Sequence, residues 1–130
     1  MKLQILFFAF TIFEFTNASV QNITVKGIAV CNKKRLAKAN VVLIEKDRFD
    51  PNDELAHIET NSEGEFELFG KDNEIFTIEP IIRITHACNT EPNCLRTSEY
   101  KVPQNLIGSI YNMTYVVLDV FVHNDKTKCK

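Results

Sequence analysis

The sequence predicts an all-β fold, a sandwich of seven to eight short strands, on three observations. Strict polar/apolar alternation over Glu65-Phe66-Glu67-Leu68 follows directly on the turn-forming Asn61-Ser62-Glu63-Gly64, the pattern of a hairpin feeding a half-buried strand. Apolar runs of strand length recur along the chain with Pro, Gly, Asn and Asp between them, as they do in sandwiches. After the first residues there is no amphipathic helical period of useful length, no internal repeat and no low-complexity tract. At 130 residues with 45% hydrophobic and 25% charged content, the chain is long enough to enclose one core and too short for two.

The chain opens with Met1-Lys2, a mostly apolar run from Leu3 to Phe15, and Thr16-Asn17-Ala18. A charged start, a hydrophobic middle and a small residue at the cut read as a secretory signal peptide over residues 1–18. The run is shorter than the roughly 20 residues a spanning helix needs, and Glu14 interrupts it. Residues 19–130 are then a single secreted, extracellular domain that does not span a membrane.

Within that domain, Ile23 to Cys31 is a first strand whose second face also carries Ile28 and Val30, as in a central strand. Asn32 to Asn40 is polar and basic, an exposed connection. Val41 to Ile44 is a β-branched run of buried-strand length. Asp47 to Glu54 is a loop in which Pro51 discourages a helix. Leu55 to Thr60 leads into the hairpin, where Gly64 takes the positive φ of a tight turn. Ile75 to His86 reads as a long strand with a bulge or edge at Pro80, and Ile82, Ile84 and His86 share one of its faces. Cys88 to Arg96 is a loop, Thr97 to Val102 a short strand ended by Pro103, and Tyr115 to Val122 a central strand.

All four cysteines, Cys31, Cys88, Cys94 and Cys129, follow the expected cleavage site. An even number in a small secreted chain points to two disulfides with three possible pairings. The spacing of Cys88 and Cys94 and the lack of a Cys/His cluster disfavour zinc. The sequons Asn22-Ile23-Thr24 and Asn112-Met113-Thr114 become glycosylation sites once export is granted. The net charge of −2 argues against nucleic-acid binding but not against a local basic patch.

Several ordered signatures together resemble the nematode transthyretin-like proteins. They are Val25-Lys26-Gly27 with Cys31-Asn32, Lys46-Asp47 with Asp50-Pro51-Asn52-Asp53, Thr60 to Leu68, Ile78-Glu79-Pro80 with His86 and Cys88, and Pro92-Asn93-Cys94 followed by Tyr100-Lys101-Val102-Pro103. The resemblance covers nearly all of residues 19–130. It implies a secreted, disulfide-bonded Greek-key sandwich similar to transthyretin, with the first and penultimate strands side by side. It does not settle activity. Transthyretin carries thyroid hormone, and its enzyme relatives hydrolyse 5-hydroxyisourate with histidines, an arginine and a C-terminal Tyr-Arg-Gly-Ser. This chain ends Lys126-Thr127-Lys128-Cys129-Lys130, without that motif, and Ala87 to Leu95 is too rich in Pro and Asn for the short helix transthyretin has nearby.

If consecutive strands reverse direction, all four cysteines gather at one pole with Lys33, Lys34, Arg35, Lys38, Arg96, Lys126, Lys128 and Lys130. Asp47, Asp50, Asp53, Glu54, Asp72 and Glu74 then fall at the other, beside both sequons. A basic cluster of this size attracts anionic surfaces. The expected function is therefore a non-enzymatic extracellular binding or adaptor protein that docks its basic end, through Lys33, Lys34, Arg35, Lys38, Arg96, Lys126 and Lys128, on an anionic cell surface or protein. The alternatives are a carrier of a small hydrophobic ligand and a hydrolase resembling the 5-hydroxyisourate enzymes. No cofactor or metal is expected. His86 reads as a hydrogen-bonded structural histidine and Ser62 as a turn residue. Phe66, Phe69 and Phe76 read as core rather than a ligand box, and Asp50, Asn52 and Glu54 as a capped turn rather than a calcium loop.

Overall fold

The computed structural model describes residues 19–46, 52–74 and 78–130. The signal-peptide expectation, Asp47, Asp50 and the first residues of the long strand expected from Ile75 lie outside the described residues. The strands are β1 (Ser19–Cys31), β2 (Lys34–Arg35), β3 (Asn40–Glu45), β4 (Asp53–Glu59), β5 (Glu65–Glu74), β6 (Pro80–His86), β7 (Cys94–Lys101), β8 (Ile110–Val117) and β9 (Lys126–Cys129), with a 3-10 turn at Gln104–Leu106.

They form two facing sheets. In the first, β5 and then β2 pair antiparallel along one side of β1, and β8 pairs parallel along the other. The second has the order β4-β3-β6-β7-β9, all antiparallel. The first strand is therefore central and lies beside the penultimate one.

Alternation decides which side chains fill the space between. Ile23, Val25 and Ala29 of β1 and Phe66 and Leu68 of β5 face Val41 and Leu43 of β3 and Ile82 and Ile84 of β6, all buried, whereas Phe69, expected in the core, is 56% exposed because it alternates out of phase with Phe66 and Leu68, and Phe76 lies outside the described residues. Each large aliphatic or aromatic side chain so buried contributes on the order of 1.5–3 kcal/mol. The hairpin is the one the sequence describes. Gly64 has φ 74°, and the Asn61 side-chain oxygen accepts the N–H groups of Glu63 and Glu65. Buried Thr60 ties this turn to the β2–β3 connection, its hydroxyl donating to the Leu36 carbonyl at 2.7 Å and accepting the Ala39 N–H at 3.0 Å.

Several boundaries differ from the sequence reading: β1 begins at Ser19, ahead of Ile23, and β4 at Asp53, inside the expected Asp47 to Glu54 loop. The expected long strand is β6 beginning at Pro80, where proline's missing donor is harmless and its carbonyl still accepts the Val102 N–H. β7 begins at Cys94, inside the expected loop, because the tail supplies the short partner strand β9 through pairs such as Cys94 with Cys129. The basic connection includes the two-residue β2. The last apolar segment is not a central strand. β8 ends at Val117, lies at the edge of its sheet and keeps Ile110, Tyr115 and Val117 exposed.

Candidate functional site

Strand direction gathers the sulfurs at one pole. Cys31 at the end of β1 bonds Cys88 beyond β6, and Cys94 at the start of β7 bonds Cys129 at the end of β9. Next to the first bridge, the side chains of Asn32 and Asn89 exchange hydrogen bonds at 2.8 and 3.2 Å. Asn32, Lys33, Asn89 and Asn93 all take positive φ in these turns, and asparagine tolerates that conformation better than most residues.

The basic side chains sit in two groups. Lys33, Lys34, Arg35 and Lys38 are exposed on the turns around β2, and Lys126, Lys128 and Lys130 are exposed on and after β9. Register places Lys128 opposite Leu95 and Lys126 opposite Thr97. Two expectations need correction. The pole is not uniformly positive, because the β4–β5 hairpin returns Glu59, Glu63 and Glu65 to the same end, where Arg35 and Glu63 approach to 3.8 Å. Arg96 does not belong to the surface cluster, for it is 1% exposed.

Arg96 points inward because it shares the parity of Cys94 and Ser98 on β7. Its guanidinium lies 3.2 Å from an Asp125 carboxylate oxygen, donates to the Cys88 carbonyl at 3.2 Å and has the Phe121 ring 4.0 Å from its centre. A buried charge is tolerable only with such pairing. The segment from Leu118 to Asp125 thus straps the open side between β8 and β7. It is held at its start by the Leu118 N–H on the Val30 carbonyl and the Asn32 N–H on an Asp119 oxygen. The strap leaves Val120 and Phe121 exposed, Phe121 by 65%.

His86, Ser98 and Tyr100 line the same interior. His86 Nδ1 accepts the Cys88 N–H at 3.1 Å, so the neutral ring carries its proton on Nε2, 3.4 Å from the Ser98 hydroxyl. In that tautomer the ring donates towards Ser98 and offers its oxygen no proton-accepting lone pair. Burial first, then the nearby Arg96 charge, pushes the His86 pKa down to about 4 from 6.5, against a smaller upward pull from Asp125. Burial likewise raises the Tyr100 hydroxyl above its usual 10. This network keeps the His86 ring neutral near pH 7. The part Arg96 and Asp125 play in it escaped the sequence reading, although the alternation that turns Arg96 inward with Cys94 and Ser98 was there to be counted.

The other expected residues are dispersed. Asn22 and Asn112 are exposed on the first sheet, His57 is exposed 3.4 Å from Glu54, and Ser62 lies in the hairpin turn. Asn52 and Glu54 are exposed. Glu45, Asp53 and Asp72 instead bring one carboxylate oxygen each within 4.8 Å of one another at the pole opposite the disulfides. Among the described residues no helix is long and apolar enough to cross a membrane.

Sequence comparison places this chain among relatives of one family. The sequence profile of the transthyretin-like family matches residues 26–103. Transthyretin-like protein 16 of Caenorhabditis elegans is 53% identical over 87% of this chain and 86% of its own length. Transthyretin-like protein 5 of the same organism is 34% identical over 69% of this chain and 66% of its own length. Transthyretin-like protein 33 is 36% identical over 68% and 64%. Among solved structures, a 9R-lipoxygenase from Cyanothece superposes with a TM-score of 0.47 at 14% identity, over 84% of this chain and 20% of that one.

Proposed function

The chain belongs to the transthyretin-like family, and from that premise we propose that it is an extracellular, non-catalytic binding module that docks its disulfide-stapled pole on anionic phospholipid. The observation that carries this reading is the exposure, at the disulfide pole, of Lys33, Lys34 and Lys38 around β2 and of Lys126, Lys128 and Lys130 on and after β9, with exposed Leu95 opposite Lys128. Lysines near an anionic leaflet gain about 1 kcal/mol each, and an apolar tip among them adds the burial typical of interfacial binders. Two features weigh against the alternatives. The buried side chains of the two sheets form one core cluster, so a small-ligand carrier would need a channel formed between copies of the chain rather than a pocket within one. His86, which a hydrolase would use as a base, has its lone pair engaged by the Cys88 amide.

Sedimentation with mixed anionic and zwitterionic vesicles tests the reading. Binding should fall steeply with salt, as screening shortens from about 30 Å at 0.01 M to about 3 Å at 1 M. The Lys126→Glu/Lys128→Glu variant should lose on the order of 2 kcal/mol or more of affinity. Failure to bind at low salt, or binding indifferent to salt, sinks it. Salt-sensitive capture by a soluble acidic polypeptide without vesicle binding would reassign the pole to a protein partner.

A further inference from the structure

The outward face of the first sheet carries large apolar side chains in register. Phe69 and Ile110, 56% and 54% exposed, flank Thr24 on its two sides. Tyr115 lies beside Ile28 and Val117 beside Val30, and Val20 is exposed on the same face. These apolar rows, with Lys26, Glu67 and Lys71 on the rows between them, form an exposed hydrophobic surface of the kind that ordinarily meets a covering group.

The same face holds both sequons, and their positions alternate with the apolar rows. Asn22 is the outward residue before Thr24 on β1, and Asn112 is the register partner of Lys26, the outward residue after it. The two asparagines therefore bracket the Phe69–Thr24–Ile110 row, four residues apart along β1 at about 3.3 Å per residue and one strand apart across the sheet. Both are exposed. At Asn112 the side-chain oxygen accepts the Thr114 N–H at 3.0 Å, in a bulge where Thr114 has φ 60°. That contact occupies the oxygen and not the nitrogen to which a glycan attaches.

We infer that this is the glycan-bearing face of the protein, and that N-linked glycans on Asn22 and Asn112 together cover its apolar rows. The step joins each asparagine Nδ2 to the anomeric carbon of an oligosaccharide carried on a polyprenyl diphosphate. The C–O bond to the diphosphate breaks, the diphosphate leaves with the electron pair, and the amide nitrogen gives up one proton. The inference rests on the extracellular reading above, since this modification belongs to the secretory route. It keeps the saccharide off the stapled pole, which stays open for docking.

The experiment is to express the full chain in a eukaryotic secretory host, purify it from the medium, and strip the folded protein with an amidase that converts glycosylated Asn to Asp. Mass mapping should find both Asn22 and Asn112 converted. Stripping should raise apolar-dye binding severalfold and shift the protein towards self-association in sedimentation. A stripped Phe69→Lys/Ile110→Lys variant should show neither change. Secreted protein with a glycan at neither site or at only one overturns the inference while leaving the extracellular reading intact. Stripping without effect on dye binding and sedimentation, or an equal effect in the lysine variant, overturns the covering role. Retention of the chain inside the cells overturns both.

Discussion

Arg96 brings a charge into the sandwich because its position on β7 has the parity of Cys94 and Ser98, and Asp125 on the strap is the counter-charge that makes this tolerable. Removing one partner strands the other. Asp125→Ala should cost about 3–5 kcal/mol in urea unfolding, whereas Arg96→Met/Asp125→Leu, which replaces the pair with apolar volume, should cost far less. Equal losses in the two variants would show that the ion pair is not what holds the strap. His86 adds a pH signature. Its folded pKa is near 4 against 6.5 for the free residue, so between these values the unfolded chain binds a proton that the folded protein does not. Its contribution is fully present above pH 6.5 and is lost as pH falls towards 4, with a slope approaching 1.4 kcal/mol per pH unit. The difference between wild type and His86→Gln, followed by urea midpoints at pH 7, 5.5 and 4.5, should shrink over that range.

The hairpin between β4 and β5 was legible because every signal in it is local: the Asn61 side chain caps the turn, Gly64 supplies the left-handed φ, and Phe66 and Leu68 alternate with Glu65 and Glu67. Gly64→Ala tests it. A side chain there must adopt a left-handed backbone and would meet the Ala29 carbonyl oxygen at 2.6 Å, so a loss of at least 1–2 kcal/mol is expected in thermal or urea melts. A loss below a few tenths would mean the turn relaxes freely. What was not legible depended on distant partners. Nothing in Lys126-Thr127-Lys128-Cys129 marks a strand until β7 offers an edge and Cys94 a sulfur. Tyr115 to Val122 looks central because its apolar residues are consecutive, yet at an edge strand and a strap many of them stay exposed. Arg96 looked like a surface base because a run of Lys and Arg at one pole hides the single member whose parity turns it inward.

Across the whole molecule, two covalent links close the same pole. Chain-entropy reasoning assigns each about 4 kcal/mol, from sequence separations of 57 and 35 residues. Cys31→Ala/Cys88→Ala and Cys94→Ala/Cys129→Ala should each lower stability by about that amount. Only the second should also loosen β9 and the strap, measurable as faster amide exchange at Leu95 to Thr97. Matching exchange in the two variants would detach the strap from its bridge. The polar gathering of cysteines was foreseeable from alternating strand direction alone, whereas the admixture of Glu59, Glu63 and Glu65 among the bases needed the hairpin to be followed around. The parallel seam of β1 with β8 has a consequence for biosynthesis. Thr24 finds Ile110 and Val30 finds Val117 only after nearly the entire polypeptide has left the ribosome, so the nascent chain travels with the flank of its oldest strand bare. Such late closure across the sequence slows folding and leaves an unpaired edge exposed to neighbouring chains until β8 docks.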